Sequence, residues 1–380
     1  MDFRQSPVEA LEVRRLFGEV YDNTKILVTG HTGFKGSWLV HWLIRLGGNV
    51  AGLALDPSTE PNHWDLLHNS IREYRLNICD LQSITEILKK EQPEMIFHLA
   101  AQPLVRASYL DPMGTWNSNL MGTLNLLEAC RFCESLRAVL VITTDKVYRE
   151  QERPIGYDEA DSLGGHDPYS ASKAACEIAV DSYRKSFFAH EKRTFIASAR
   201  AGNVIGGGDW SQDRLIPDAV RSIEKKNLLE IRSPQATRPW QHVLDCLSGY
   251  LLLGEKLLQR GEQYATAWNF GPAQGSGNTV SHILELFASH YPELRWRDVS
   301  DRKNLHEAPF LSLNSEKAQK ELEWKPVWGL EKSMYYTATW YRSFMERGDV
   351  RSDEHLKAYV TDASAARLSW TKKCTFPKRL

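Results

Sequence analysis

The chain has 380 residues and a formal net charge of −1, with Lys and Arg scattered along it. This length suits one extended α/β domain or two coupled domains. The balanced charge argues against a nucleic-acid partner, because domains that bind nucleic acids are usually basic. We expect no membrane span and no signal peptide, because the sequence has no long apolar run and its first residues have no apolar core.

The six cysteines do not form a disulfide framework in a chain of this length. Cys130 and Cys133 have C-x-x-C spacing, but they lie in an apolar segment that reads as a helix, and no second pair stands at zinc-site spacing. We therefore predict buried, inert thiols, no metal site and a reducing cytoplasm as the compartment.

Short apolar strands alternate with longer helices between residues 25 and 200. The predicted strands are Lys25–Thr29, Asn49–Leu55, Tyr74–Ile78, Met95–Leu99, Ala138–Thr143 and Thr194–Ala199. The predicted helices are Gly36–Leu46, Ser83–Lys90, Thr115–Cys133 and Ser170–His190. This alternation predicts an α/β fold of Rossmann type, in which a doubly wound parallel sheet carries helices on both faces.

The pattern loosens after residue 200, which predicts a smaller C-terminal substrate-binding domain. Residues 202–213 should form a loop, and helices are predicted at Ile216–Lys225, Asp245–Leu258, Val280–His290 and Ser315–Leu322. We divide the chain into a leader (1–24, with a helix over Val8–Phe17), the sheet domain (25–200), mainly the second domain (201–348) and a polar tail (349–380). The chain should return to the sheet domain around 235–270, and the tail is either partly ordered against a neighbour or mobile.

A strand, a glycine run and a helix follow one another at the start of the sheet domain. Glycine allows a tight turn and close approach to a pyrophosphate, and the helix N-terminus supplies free amide donors. The predicted cofactor contacts in this run are Gly30, Thr32, Gly33, Phe34, Lys35 and Gly36. Asp56 stands 20 residues further on, where a carboxylate binds a ribose 2′-hydroxyl and repels a 2′-phosphate. The pattern therefore favours NAD over NADP.

Further cofactor contacts are predicted after the third and fourth strands. Asp80 could hydrogen-bond an adenine amino group or cap the helix that follows it, and one role does not exclude the other. Small residues after the fourth strand allow a cofactor to pass closely. The predicted contacts there are Leu99, Ala100, Ala101 and Gln102.

Tyr169 and Lys173 stand four residues apart and so fall on one face of a helix. There the ammonium can lower the phenol pKa, so that the tyrosine accepts a proton from an alcohol. Thr144-Asp145-Lys146 adds a hydroxyl, an acid and a base at the end of the fifth strand. Together these residues predict hydride chemistry with a second proton transfer, which indicates elimination rather than simple oxidation.

The glycine spacing and Tyr169-x-x-x-Lys173 together resemble the extended, nucleotide-sugar-modifying branch of the short-chain dehydrogenase/reductase superfamily, over residues 25–275. The resemblance implies that Tyr169 is the catalytic base and that Lys173 also binds the nicotinamide ribose. Thr144-Asp145-Lys146 resembles the 4,6-dehydratases of this branch. Most of these dehydratases have a glutamate where this chain has Lys146. The lysine and the stretches 28–39 and 100–106 resemble the sequences of the dehydratases that act on CDP-glucose.

Such an enzyme would oxidise the sugar at C4 with Tyr169 and Thr144 at the 4-hydroxyl, eliminate water across C5 and C6, and return hydride to C6. The family order implies that Lys146 is the base at C5 and Asp145 the acid for the 6-hydroxyl. The swapped assignment stays open. A neutral lysine and a protonated aspartic acid both require shifted pKa values.

The same resemblance implies the substrate contacts. Residues 200–210 would meet the sugar diphosphate through Asn203, and residues 238–243 would close over the nucleotide with Arg238 on a phosphate. Arg106 and Asn119 are further predicted substrate contacts. Arg200 and His242 could equally be surface or ion-pair residues. Nothing reads the base directly, so a cytosine nucleotide, and a place in bacterial cell-surface deoxysugar (O-antigen) synthesis, follow from the resemblance alone.

Two helices per subunit commonly pair into a dimer in this branch, which here implies a homodimer through 115–133 and 170–190, with a tetramer open. Two other functions are also open. The first is an epimerase or other oxidoreductase of the same branch, against which Thr144-Asp145-Lys146 counts. The second is a non-catalytic NAD-binding scaffold, against which the intact Tyr169 and Lys173 count.

Overall fold

A computed structural model of the chain describes residues 13–151, 153, 155–189, 193–273, 278–300 and 311–372. Its centre is a seven-stranded parallel sheet in the order β11-β6-β5-β4-β1-β2-β3. The strands are β1 (Lys25–Thr29), β2 (Asn49–Ala54), β3 (Arg72–Arg75), β4 (Met95–His98), β5 (Ala138–Ile142), β6 (Phe195–Ala201) and β11 (Ala267–Phe270). The predicted doubly wound sheet is confirmed, and its chain order reverses between β1 and β4, where ligands bind in such folds.

Helices cover the sheet and build the C-terminal part. In chain order they are α1 (Phe34–Arg45), α2 (His63–Leu67), α3 (Leu81–Glu91), α4 (Val105–Leu110), α5 (Pro112–Trp116), α6 (Gly122–Cys130), α7 (Pro168–Tyr183), α8 (Leu215–Glu224), α9 (Val243–Arg260), α10 (Val280–His290), α11 (Glu316–Glu321), α12 (Leu330–Arg347) and α13 (Ser352–Ala365). Single π-helical turns join α5 to α6 and extend α7. Among these helices none is long and apolar enough to cross a membrane.

Six short strands lie outside or beside the main sheet. They are β7 (Val204–Ile205), β8 (Leu229–Ile231), β9 (Thr237–Arg238), β10 (Gln241–His242), β12 (Asn278–Thr279) and β13 (Trp296–Asp298). They pair as β7–β10, β8–β13 and β9–β12. The predicted loop at 202–213 is therefore wrong at its start, because β7 pairs with β10 and fixes the segment that follows β6.

The sequence placed the third strand too late. The strand covers Arg72–Arg75, whereas the apolar residues that suggested 74–78 belong to the connection after it. Ile78 in that connection is buried and packs against Gly122 at the start of α6. The apolar signal was thus a contact between a loop and a helix, not a strand.

The predicted leader helix over 8–17 is described only in part. Residues 8–12 lie outside the described residues, and Leu16–Glu19 form a 3₁₀ turn with Leu16 and Phe17 buried.

Cys130 and Cys133 are buried and free, and burial raises the pKa of the Cys130 thiol well above its ordinary value. The prediction of buried thiols is confirmed.

The polar C-terminal segment docks on its own chain. Sequence patterns did not identify α12 and α13, which are polar overall but bury Trp340, Tyr341 and Tyr359. Tyr359 of α13 packs edge-on against Trp42 of α1 at 5.8 Å between ring centroids. Trp370 stacks on Phe17 at 4.8 Å. The segment after α12 therefore completes the core beneath α1.

The buried helix α9 carries a carboxyl group that joins it to the C-terminal segment. Asp245 Oδ1 accepts hydrogen bonds from Val327 N at 2.5 Å and from the Tyr359 hydroxyl at 2.8 Å. Burial raises the pKa of Asp245 from 3.8 to about 7, although these donors oppose the shift. The folded chain therefore binds a proton here that the unfolded chain releases above about pH 4.

We predict that this site makes the protein less stable as the pH rises from about 4 to about 7. In that range the native state binds more protons than the unfolded state, so the free energy of unfolding falls with pH, by roughly 2–4 kcal/mol in total. Asp245→Asn keeps the accepting oxygen and should flatten this slope. Thermal denaturation of both proteins at pH 5 and pH 8 measures the effect, and identical slopes would contradict it.

Candidate active site

The glycine run forms a tight cradle between β1 and α1. Gly30 has φ +73°, and a Cβ there would lie 2.7 Å from Ala100 N. A Cβ on Gly36 would lie 2.1 Å from Gly30 O, so both positions require glycine. Gly33 caps α1 without a side-chain hydrogen bond, which leaves the first-turn amides of the helix for a ligand. The cradle fits the pyrophosphate of a dinucleotide.

The acidic residues predicted to bind the cofactor lie beyond the strand ends. Asp56 follows β2 by two residues, its side chain is 85% exposed, and its Oδ1 lies 3.6 Å from Arg75 Nε. Asp80 accepts a hydrogen bond from Ser83 N at 3.1 Å, which confirms its capping role at α3. Contacts of Asp56 with a ribose and of Asp80 with adenine stay predictions. The Arg75 neighbour was not foreseen.

The other predicted cofactor residues surround the same cradle. Thr32 Oγ1 donates to Leu55 O at 3.0 Å, and Phe34 begins α1. Leu99 N donates to Thr29 O at 3.1 Å, so Leu99, Ala100 and Ala101 run directly past Gly30. Gln102 turns its amide inward and bonds Leu104 and Thr115, which orders the loop after β4.

One cavity of about 380 Å³ opens at the carboxyl ends of β5 and β6. Its wall combines the turn after β5, the start of α7, the segment after β6 and the β9–β10 region. Of the predicted site residues it brings together Lys35, Arg106, Thr144, Asp145, Lys146, Tyr169, Asn203 and Arg238. Groups from all three predicted sets, cofactor, catalytic and substrate, therefore face one space.

Helix α7 places Tyr169 in its first turn. Asp167 caps the helix by accepting from Ser170 N at 2.9 Å, and Pro168 occupies the first helical position. Burial raises the pKa of Tyr169 to about 12, although a hydrogen bond with Thr144 lowers it in part. The nearby hydroxyl thus stabilises the phenolate that the predicted base requires.

The expected effect of Lys173 on Tyr169 is not what the structure shows. Lys173 Nζ donates to Ile142 O at 3.2 Å, at the end of β5, and burial lowers the pKa of Lys173. The expectation that this ammonium lowers the phenol pKa is therefore corrected: burial dominates at Tyr169, and Thr144 supplies the opposing hydrogen bond.

The turn after β5 holds an acid with the property that the chemistry requires. Thr144 Oγ1 donates to Asp145 Oδ1 at 2.9 Å, while Asp145 Oδ2 is buried with no hydrogen-bond partner. Burial raises the pKa of Asp145, although Lys146, Thr144 and Arg238 each lower it in part. A carboxyl group in this position retains a proton more readily than in water, as a general acid must.

Three of the four predicted substrate residues, Asn203, Arg106 and Arg238, line the cavity. Asn203 lines the cavity, its carbonyl accepting from Gln241 N at 3.0 Å, and Arg106 pairs with Asp213 at 2.8 Å on the same wall. Arg238 is buried and donates to its neighbour's carbonyl. These three stay predicted substrate contacts.

Asn119 is a correction. Its side chain is fully buried, with Oδ1 accepting from Gln102 N at 2.8 Å and Nδ2 donating to Ser172 Oγ at 2.9 Å. These bonds join the loop after β4 to α7. The predicted contact of Asn119 with the sugar is wrong, because its amide is consumed by the packing of these two elements.

The structure shows where Arg200 and His242 lie, which the sequence left open between the surface and an ion pair. Arg200 is buried in an ion pair with Glu177 at 2.9 Å, and His242 is buried and caps α9 by accepting from Leu244 N at 3.2 Å. Neither is a surface residue. Glu177 was missed in the sequence, although its place four residues after Lys173 puts it on the same helix face.

We predict that Gly36→Ala abolishes dinucleotide binding, because the added Cβ would collide with Gly30 O and open the cradle. Quenching of tryptophan fluorescence by added NAD measures this without any turnover. Gly329→Ala is the matched control, since a Cβ there meets nothing within 4 Å. Equal NAD binding by the two variants would show that the cradle is not the cofactor site.

Comparisons with known proteins agree with this geometry. Residues 27–337 match the family described as GDP-mannose 4,6 dehydratase. The CDP-glucose 4,6-dehydratase of Salmonella typhimurium is 40% identical over 336 residues, which are 87% of this chain and 94% of the relative. The UDP-glucose 4-epimerase of Mycoplasma pneumoniae is 23% identical over 337 residues, 85% of this chain and 98% of the relative.

Solved structures show the same fold at low identity. A Thermus thermophilus UDP-glucose 4-epimerase in complex with NAD superposes with a TM-score of 0.73 at 24% identity, covering 83% of this chain and 98% of that one. A dTDP-glucose 4,6-dehydratase from Bacillus anthracis in complex with NAD gives 0.71 at 22% identity, covering 84% and 97%.

Proposed function

The chain belongs to the GDP-mannose 4,6 dehydratase family of NAD-dependent nucleotide-sugar dehydratases, and we propose that it converts CDP-D-glucose to CDP-4-dehydro-6-deoxy-D-glucose and water. The observation that carries the proposal is the meeting of Tyr169, Thr144, Asp145 and Lys146 on one cavity. The choice of CDP-glucose follows from the Salmonella typhimurium relative, which covers nearly the whole chain.

The chain's own residues supply the proton transfers. The glycine cradle would hold the pyrophosphate of NAD, and the cofactor would supply a hydride acceptor that can later return the hydride. Tyr169, as the phenolate, takes the proton of the sugar 4-hydroxyl. The Thr144 hydroxyl stabilises the phenolate when it turns its proton from Asp145 Oδ1 to the phenolate oxygen. The 4-keto group that results makes the C5 proton acidic, so that Lys146 can remove it. Asp145, whose pKa is raised by burial, then donates a proton to the departing 6-hydroxyl. Lys146 returns its proton to C5 as hydride comes back to C6, which gives the 4-keto-6-deoxy sugar and water.

The cavity wall carries both arginines and carboxylates. Arg106, Arg214, Arg232 and Arg238 line it, and one guanidinium group can bind two phosphate oxygens at once. Arg106 and Arg232 pair with Asp213, and Arg214 pairs with Asp209, so a diphosphate would compete with these carboxylates for them. We place the diphosphate between Asn203 and Arg238, which face the cavity from neighbouring segments. The hexose then lies toward Tyr169.

An epimerase of the same fold is the second candidate, favoured by the Mycoplasma pneumoniae relative. An epimerase needs no acid for a departing hydroxyl. The buried Asp145, with its raised pKa and its unpartnered Oδ2, therefore counts against this function.

Incubation with NAD and CDP-glucose, dTDP-glucose, UDP-glucose or GDP-mannose tests the proposal. Mass spectrometry should show loss of water from CDP-glucose first, and borohydride trapping should show a 4-keto group. A change of configuration without loss of mass would establish the epimerase instead. Binding of NAD with no turnover of any sugar would establish a scaffold.

We propose that the protein forms a homodimer through the helical stretches 115–133 and 170–190. Apolar side chains exposed on the described part of these stretches are Met121, Phe132, Ile178 and Phe187. Ala174 of α7 is buried and does not contribute to this surface. Light scattering tests the state, with a tetramer as the other associated outcome.

The five described cysteines are free thiols, which supports a cytoplasmic location. A role in deoxysugar (O-antigen) synthesis is a separate proposal, which rests on the similarity to the Salmonella typhimurium relative.

A further inference from the structure

A buried ion pair lies behind the catalytic turn and takes no part in the chemistry derived above. Glu177 of α7 and Arg200 of β6 are 2.9 Å apart, with side chains only 3% and 4% exposed. Burial alone would raise the pKa of Glu177, but Arg200 and two hydroxyl donors lower it below its ordinary value. The pair therefore stays ionised, and its cost of burial has to be offset by further hydrogen bonds.

Those bonds reach the segment before the catalytic turn. Thr143 Oγ1 donates to Glu177 Oε1 at 2.5 Å, and Ser198 Oγ donates to Oε2 at 2.6 Å. Thr143 immediately precedes Thr144. Glu177 thus ties the residue before the turn to the helix that carries Tyr169.

The arginine reaches the segment after the turn. Arg200 Nη1 donates to the Tyr148 hydroxyl at 2.8 Å, and that hydroxyl donates to Asn269 Oδ1 at 2.7 Å. The guanidinium also lies over the Tyr148 ring, 5.0 Å from its centroid. Tyr148 stands two residues after Lys146. One buried pair therefore holds the chain on both sides of Thr144-Asp145-Lys146.

We propose that Glu177 and Arg200, acting through Thr143 and Tyr148, form a clamp that positions Thr144, Asp145 and Lys146 against Tyr169. The inference rests on the proposed dehydratase function. Among the residues that line the cavity, Thr143 is the one member of the clamp, while Tyr148, Glu177 and Arg200 lie behind the wall. They are positioning residues, because each acts through a neighbour.

The two arms of the clamp serve different steps. The Thr143 arm precedes Thr144, which assists oxidation at C4, and it is anchored on the helix of Tyr169. The Tyr148 arm follows Lys146, which acts in the elimination. Loosening one arm should therefore slow the step next to it more than the other, whereas a general loss of stability would slow both steps together.

Tyr148→Phe removes one buried oxygen and keeps the ring. We expect removal of the C5 proton and loss of water to slow about 10- to 100-fold, since a small displacement of a catalytic group has effects of this size, with C4 oxidation changed about 2-fold or less. Single-turnover mixing with CDP-glucose in D₂O reads the two steps separately: absorbance of the reduced nicotinamide reports oxidation, and mass spectrometry reports deuterium at C5 and water loss.

Tyr157→Phe is the matched control. The Tyr157 ring stacks on Tyr148 at 5.0 Å, and its hydroxyl accepts from Gln151 N at 2.8 Å, outside the clamp. It should behave as the wild type. Thr143→Val, which keeps the shape and removes the other arm, should slow C4 oxidation more than the elimination that follows it.

The outcomes separate the clamp from the proposed function. Unchanged elimination in Tyr148→Phe, beside an active wild type, would overturn the clamp alone. Equal slowing of both steps in Tyr148→Phe, in proportion to a lowered melting temperature, would reduce the pair to a structural role and also overturn it. A wild type that oxidises CDP-glucose but never releases water would overturn the proposed function and the clamp with it.

Discussion

The Tyr169→Phe variant is expected to lose oxidation at C4, with kcat lowered about 10³-fold, the usual scale for removal of a general base. The phenylalanine ring fills the same space at the start of α7 but cannot accept the proton of the 4-hydroxyl. Thr144 cannot replace it, because an unassisted threonine hydroxyl is far less acidic than a phenol and cannot hold the negative charge.

Stopped-flow absorbance of the reduced nicotinamide after mixing with CDP-glucose measures this loss directly. Tyr183→Phe is the control, because Tyr183 lies on the same helix with its hydroxyl 3.1 Å from Glu128 Oε2 and away from the cavity. NAD should quench the fluorescence of both variants as in the wild type. Rapid nicotinamide reduction by Tyr169→Phe would remove this residue from the mechanism.

Lys146→Ala and Asp145→Asn are expected to separate the two proton transfers of the elimination. Lys146→Ala should still oxidise the sugar at C4 but should lose deuterium uptake at C5, because the base is gone. Asp145→Asn should still exchange the C5 proton but should release water far more slowly, because the amide cannot protonate the departing hydroxyl. Each should lower net turnover by about 10²- to 10⁴-fold.

Single turnovers in D₂O, with mass spectrometry of the sugar, distinguish the two variants. If Asp145→Asn loses the exchange at C5 while Lys146→Ala retains it, the roles are reversed, with Asp145 as base and Lys146 as acid. An unaffected turnover number in Lys146→Ala would exclude that residue altogether.

The pH profile gives a second view of Asp145. An acid acts in its protonated form, so elimination should slow as the pH rises through the raised pKa of this carboxyl group. Asp145→Asn should remove that falling limb from what activity remains. A falling limb retained in this variant would have to come from another group.

The sheet could be predicted from the sequence because its strands are local apolar runs between recognisable helices. β1 and α10 match their predicted bounds, and β4 and β5 differ by one residue at the end. The strand β11 was missed, since its four residues follow a long buried helix and no alternation marks them. The helix α12 was missed because its buried aromatic residues are interspersed with charge.

The sequence predicts those site residues that belong to short motifs, but not the properties that depend on contacts between distant segments. Tyr169 and Lys146 belong to short motifs at recognisable strand and helix ends, and the structure brings both to one cavity. The raised pKa of Asp145 comes from burial by distant segments. The side-chain amide of Asn119 is hydrogen-bonded to the loop after β4 and to α7, and no sequence motif predicts that these two segments meet there. The ion-pair partner of Glu177 is Arg200 on β6, 23 positions further along the chain, and no local pattern predicts that contact.

The seating of Tyr359 and Trp370 against α1 has a consequence for synthesis on the ribosome. The glycine cradle and its helix are translated before the residues that cover them, because Trp42 and Phe17 pack against Tyr359 and Trp370, far later in the chain. Domains otherwise tend to fold in order as they leave the ribosome. Here the dinucleotide-binding half leaves the Trp42 indole and the Phe17 ring uncovered until α13 and Trp370 have been translated, so we expect that half to complete its core only after the C-terminal helices are made.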